Sequence, residues 1–157
     1  MFPDDFLALD RIHLDSGAAS KKRILEEVAG LLAATAAGLT REQVFDKLLE
    51  RERLGSTGLG QGIALPHARM KGVTGSHGAL VRLQQGVDFD AIDAKPVDIV
   101  VGLLVPEQAT DEHLQLLASL AARFSDPTYC DRIRQAPDPA AVLELFRQAG
   151  GDMAASA

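Results

Sequence analysis

The chain is poor in the residues that staple a fold or anchor it in a bilayer. Its 157 residues include one cysteine, Cys130, one tyrosine and no tryptophan. A lone thiol cannot close an intramolecular disulfide, and no second cysteine stands by to form a thiolate pair for zinc. Cys130 therefore reads as a small buried core residue rather than a redox centre. The four histidines, His13, His67, His77 and His113, are scattered and show none of the close spacing of H-E-x-x-H, so no metal site is expected. No apolar run approaches the ~20 residues that a membrane helix needs, which predicts no membrane insertion. Met1 to Asp10 has no basic n-region and is interrupted by Asp4, Asp5 and Asp10, so a secretory signal is not expected and the location is expected to be cytoplasmic. Positive charge is also short. A formal net charge of −6 offers no basic surface for counterion release, which speaks against nucleic acid and for basic protein partners.

What is present is an ordinary globular composition, 46% hydrophobic and 24% charged, long enough for one domain with its own core. Ile24, Val28, Leu31 and Leu32 share one face of a predicted helix between Ser20 and Ala37, with Gly38 as its stop. Thr40 to Gln43 fits a capping box, and Val44, Phe45, Leu48 and Leu49 form the buried stripe of a second helix that carries Arg51 and Arg53 at its end. Ile63 to Leu65, Gly78 to Leu83 and Val97 to Val105 read as strands, the last apolar enough to be covered on both faces. Asp111 opens a further helix, and Asp126-Pro127 and Asp138-Pro139 look like the starts of two more. Helices before, between and after strands predict an α/β sandwich in which helices flank a central mixed sheet.

The informative stretch runs from Gly55 to His67. Gly55, Gly58, Gly60 and Gly62 permit positive φ and a close approach of backbone amides to an anion. Pro66 restrains Leu65 to extended backbone, so His67 is expected at a strand end, rigidly aimed. The unperturbed pKa of a histidine, about 6.5, leaves a good fraction neutral and nucleophilic near neutral pH, and a neutral imidazole can accept a phosphoryl group. A P-loop is not an alternative, because these glycines lead into a strand and no lysine follows. No Ser-His-Asp or Cys-His signature supports hydrolysis. His13 and His77 read as surface histidines, and His113, taken by itself, as a helix-surface or half-buried one.

The run Arg51-Glu52-Arg53-Leu54-Gly55-Ser56-Thr57-Gly58 through Ala64-Leu65-Pro66-His67 resembles the phosphorylation-site signature of the fructose/mannitol type IIA proteins (EIIA type 2) of the bacterial phosphotransferase system. The resemblance continues through Gly86 to Asp93, Pro96 to Pro106 and His113-Leu114, and it is strongest to the nitrogen-regulatory branch. It implies a single type-2 IIA domain over residues 1–150, followed by a flexible C-terminal tail at 151–157, with the same sheet-and-helix sandwich. It also implies that His67 is phosphorylated on Nε2, with Nδ1 hydrogen-bonded to a backbone carbonyl, and that His113 and Arg51 stabilise the phosphoryl group.

Two neighbours keep two readings each. Thr57 is either a hydroxyl donor to the phosphate or a cap of its own backbone, and Arg53 is either a phosphate fork or a solvated charge beside Glu52. Gln61 stands where some sugar-transport members carry an acidic residue, which favours the regulatory branch. The implied donor is an HPr-like phosphocarrier of the nitrogen-related type (NPr), and the implied outputs are regulated proteins such as sensor kinases or transporters; no cofactor is implied. Two rivals stand beside this reading: a sugar-transport IIA that passes phosphate to a IIB domain, and a binding module that carries no phosphate.

Overall fold

The computed structural model describes residues 5–156, with side chains through residue 148. A short 3₁₀ turn at Leu9–Arg11 leads into β1 (Ile12–Ser16), followed by helices α1 (Lys21–Ala33) and α2 (Arg41–Leu54). Three short strands come next, β2 (Gly58–Gly60), β3 (Ile63–Ala64) and β4 (His67–Met70), then the long strands β5 (His77–Val87) and β6 (Val97–Pro106). Helices α3 (Thr110–Phe124), α4 (Pro127–Gln135) and α5 (Pro139–Ser156) complete the chain.

The six strands form one mixed sheet in the order β1-β5-β6-β3-β2, with β4 also paired to β6. β5 and β6 are antiparallel, while β1 runs parallel to β5. β3 and β4 run parallel to β6 in succession, Ala64 opposite Val100 and His67 opposite Leu103. The Leu65-Pro66 step joins them without leaving the sheet: the Leu103 amide donates to the Pro66 carbonyl at 3.0 Å. Pro66, which has no N–H, thus spends its carbonyl on the central strand.

β6 is covered on both faces, as its apolar run predicts. Ile99, Val101, Leu103 and Val105 enter one core with residues of α3, α4 and α5, among them Leu116, Leu120, Phe124, Ile133 and Val142. Val100 and Leu104 enter the opposite core with Ile24, Val28, Leu32, Val44 and Leu48 of α1 and α2. Each fully buried aliphatic or phenyl side chain contributes about 1.5–3 kcal/mol, so the two layers hold the sheet firmly from both sides. Gly102 lets α1 settle onto β6: a Cβ there would stand 2.4 Å from Val28 Cγ1.

The helix starts follow from local hydrogen bonds. Ser20 Oγ accepts from the Arg23 amide, and Thr40 and Gln43 form a reciprocal capping box at 3.1 and 2.9 Å. Asp126 accepts from the Thr128 amide with Pro127 in the first turn of α4. α1 ends at Ala33, short of Gly38, and α3 starts at Thr110, one residue before the expected Asp111. α5 continues to Ser156 through most of the segment read from sequence as a tail, and Ala157 lies outside the described residues. No described helix is long and apolar enough to cross a membrane.

Candidate functional site

His67 opens β4, and strand alternation decides where it points. Ala68 and Met70 are buried in the core beneath α1 and α2, so His67 and Arg69 face the other side of the sheet. There the half-buried His67 ring meets the buried His113 of α3 edge-on, with ring centroids 5.0 Å apart and planes at 90°. The last turn of α2 supplies Arg51, whose Nε–H donates to His67 Nε2 at 3.2 Å. A second guanidinium nitrogen of Arg51 donates to the Gly55 carbonyl at 2.9 Å, tying the side chain to the start of the loop. The residues 51, 67 and 113, distant in sequence, are thus brought together, while Arg53 lies exposed at the end of α2.

The protonation pattern of His67 follows from its partners. Nδ1 lies 2.8 Å from the Leu65 carbonyl, which can only accept, so Nδ1 carries the proton. Arg51 Nε–H can only donate, so Nε2 presents its lone pair. Both constraints select the same neutral tautomer. Burial lowers the His67 pKa below 6.5; the Leu65 hydrogen bond and nearby Glu52 oppose that shift, and the Arg51 charge adds to it. His113 is pushed down to about 4, first by burial and then by the charges of His67, Arg69 and Arg51. Its Nε2 is buried and has no hydrogen-bond partner, an open polar atom on the ring that packs against His67. α3 begins without a side-chain cap, but Asp111 and Glu112 occupy its first turn and oppose the positive end of the helix dipole.

The glycine loop does not use its amides as the sequence led one to expect. The amides of Thr57, Gly58 and Gln61 donate to Glu52, Ser56 Oγ and Asp93 respectively, so none of these three faces an incoming anion. Gly60 and Gly62 do have positive φ, at 96° and 86°, and so does Gln61 between them at 58°. They make the tight turn from β2 to β3, and the Gln61 carbonyl is held by Arg134. The loop mounts β3, which leads through Leu65-Pro66 to His67 at the start of β4.

Thr57 also departs from expectation. It is buried, and its hydroxyl proton goes to Glu52 Oε2 at 2.6 Å, so the reading of Thr57 as a phosphate donor is corrected to that of a loop anchor. Sequence reasoning missed Glu52, treated there only as a charge beside Arg53, although its side chain is 2% exposed and meets Lys21 Nζ at 2.9 Å. It also missed Arg69, which strand alternation from His67 would have placed on the site's face. His77 Nε2 contacts the Thr74 carbonyl in a turn, and His13 of β1 pairs with Glu27 of α1. Cys130 is buried, donates to the Phe124 carbonyl, and has its thiol pKa pushed up to about 11 by burial. Among the described residues no three His, Cys, Asp or Glu side chains gather as metal ligands.

Comparison with known proteins accords with this geometry. The family model for the phosphoenolpyruvate-dependent sugar phosphotransferase system, EIIA 2, matches residues 5–149. The chain is 45% identical over 126 residues to a nitrogen regulatory protein of Pseudomonas aeruginosa, covering 80% of this chain and 82% of that protein. Its fold superposes on the crystal structure of nitrogen regulatory protein IIA-Ntr from Neisseria meningitidis with a TM-score of 0.86 and 43% identity, covering 90% of this chain and 97% of that one. It superposes on the crystal structure of IIA mannitol from Escherichia coli with a TM-score of 0.73 and 25% identity, covering 88% and 97%. The chain belongs to the EIIA type-2 family of the phosphoenolpyruvate-dependent sugar phosphotransferase system.

Proposed function

We propose that His67 is a phosphoryl acceptor charged by the phosphohistidine of a small HPr-like carrier of the NPr type, and that the phosphorylated protein acts as a signal to partner proteins in the cytoplasm. The observation that carries this reading is the His67 tautomer: Nδ1–H is held by Leu65, which leaves Nε2 as the nucleophile. In the transfer, the bond from phosphorus to the donor nitrogen breaks, leaving its electron pair on that nitrogen, as the bond to Nε2 forms, and the proton stays on His67 Nδ1, hydrogen-bonded to the Leu65 carbonyl. Arg51 then turns its donors from Nε2 to the phosphoryl oxygens, and the unpartnered His113 Nε2 is available to them as well. No side chain has to move a proton; catalysis is positioning and charge stabilisation.

Exposed leucines support a protein rather than a small-molecule donor. Leu54, Leu59 and Leu114 are 83%, 42% and 67% exposed on the segments that carry Arg51, the loop and His113, where a docking carrier would cover them. A phosphoryl group adds about −1.5 to −2 of charge at this face, enough to change which partners bind it. The likeness to nitrogen regulatory proteins supports the signalling branch over sugar transport.

Incubation with the phosphorylated carrier should give an acid-labile phosphate on the wild type and none on His67→Ala; label retained by that variant overturns the proposal. Capture of partners should differ between the phosphorylated and unphosphorylated forms. Onward transfer to a IIB protein with sugar turnover would assign the protein to the transport branch instead, and partner binding indifferent to the phosphate would leave only a binding module.

A further inference from the structure

Arg51 and Glu52 are consecutive residues in the last turn of α2, and between them they reach both sides of the His67 ring. Arg51 touches Nε2 directly. Glu52 points the other way, into the protein, and its carboxylate holds Thr57 twice: Oε1 accepts from the Thr57 amide at 2.9 Å and Oε2 from the Thr57 hydroxyl at 2.6 Å. The Thr57 carbonyl in turn accepts from the Leu65 amide at 3.0 Å. The Leu65 carbonyl is the group that holds His67 Nδ1–H at 2.8 Å. Hydrogen bonds joined through the backbone of two residues, Thr57 and Leu65, therefore link the Glu52 carboxylate to the imidazole.

We infer that Glu52 is a positioning residue for His67, acting through Thr57 and Leu65 to fix which ring nitrogen carries the proton and how the ring faces Arg51 and His113. The energetics favour a role beyond holding the fold. A buried carboxylate is expensive, and a buried ion pair such as Glu52 with Lys21 is often no more stabilising than apolar side chains of the same volume. What a carboxylate supplies that an apolar residue cannot is two acceptors for one residue's amide and hydroxyl. Lys21 balances the charge from α1, and is itself placed by the Phe89 ring, 4.9 Å away, and by the Phe89 carbonyl. The arrangement resembles the way a second layer of hydrogen bonds orients a metal-ligating histidine, with a peptide carbonyl in place of the usual carboxylate.

The inference deepens the proposal that His67 is phosphorylated, but its test needs no phosphoryl donor. Long-range nitrogen–proton NMR of the unphosphorylated protein reads the tautomer of His67 directly. The wild type should show one Nδ1–H form, and Glu52→Gln, which keeps the shape but offers one acceptor in place of two, should show a mixture of tautomers while the amide spectrum stays dispersed. In single-turnover phosphorylation the same variant should be slower by about 10- to 100-fold, as expected for a misplaced reacting group. A folded Glu52→Gln protein with an unchanged tautomer overturns the inference, whatever its rate. Should Glu52→Gln not fold, Thr57→Ser and Thr57→Val carry the test: serine keeps the hydroxyl and should match the wild type, valine lacks it and should show the mixture, and equal behaviour of the two overturns the inference. A shifted tautomer in a protein that never accepts phosphate would sustain the relay and refute the phosphorylation proposal.

Discussion

The Arg51 guanidinium sits on the lone pair of His67, its Nε–H pointing at Nε2 over 3.2 Å. That contact requires a neutral imidazole, since a protonated Nε2 would face a like charge and a second donor. Arg51 therefore favours the neutral form of His67 with Nε2 unprotonated, and under the proposed function it stands ready for the phosphoryl oxygens.

Arg51→Ala should raise the pKa of His67, because the positive charge that helps to depress it is gone, and should slow phosphoryl acceptance by about 10²- to 10³-fold, the usual cost of losing one preorganised donor. NMR titration of the ring and single-turnover labelling measure the two effects separately. Arg51→Lys should restore the charge but little of the rate, since an ammonium cannot serve both Nε2 and the Gly55 carbonyl with a rigid fork. A pKa of His67 unchanged in Arg51→Ala would contradict the electrostatic part of this account.

The rate of phosphoryl acceptance should fall on acidification with a midpoint below 6.5, the ordinary histidine value. The sign follows from burial, which lowers the His67 pKa and keeps Nε2 unprotonated where a solvent-exposed histidine would already be half charged. A pH–rate profile against a carrier phosphorylated in advance tests this. A midpoint at or above 6.5 would contradict it.

His113 links the site to stability. Its pKa is about 4 in the folded protein against 6.5 when free, so between these values the unfolded chain binds a proton that the native state refuses. The contribution of His113 to stability is full above 6.5 and is lost as pH falls through this window toward 4. His113→Gln removes that proton uptake, so the urea midpoint of the variant should fall less steeply between pH 6.5 and 4 than that of the wild type. Parallel curves over the window would show that His113 is not depressed.

Away from the site, Gly102→Ala should destabilise the protein by about 1–3 kcal/mol, the range for an overpacked core position, because its methyl group would stand 2.4 Å from Val28 Cγ1. Urea unfolding measures it. A change within about 0.5 kcal/mol, as at an indifferent surface position, would mean that α1 and β6 are less tightly apposed than described.

Periodicity made the layers legible. The stripe of Ile24, Val28 and Leu32 and the apolar run of β6 place two helices on one face of a central strand, and Thr40 with Gln43 marks a helix start to the residue. His67 at a strand end followed from Pro66, and the meeting of Arg51, His67 and His113 followed from the resemblance, because no periodicity relates residues that far apart. What was not legible is what each polar group spends its hydrogen bonds on. Thr57 and the loop glycines have the composition of an anion site, yet Glu52, Ser56 and Asp93 take the amides of Thr57, Gly58 and Gln61. Glu52 reads as a surface charge within a charged run; only the fold shows that it turns inward to Lys21 and Thr57.

Whether Nε2 of His67 takes the phosphoryl group is read by nitrogen–phosphorus NMR of the protein after treatment with a phosphorylated carrier. A single new signal should couple phosphorus to Nε2 of His67, with Nδ1 still protonated and donating to the Leu65 carbonyl. Phosphate on Nδ1, on His113 or another residue, or no phosphate at all, would contradict that assignment.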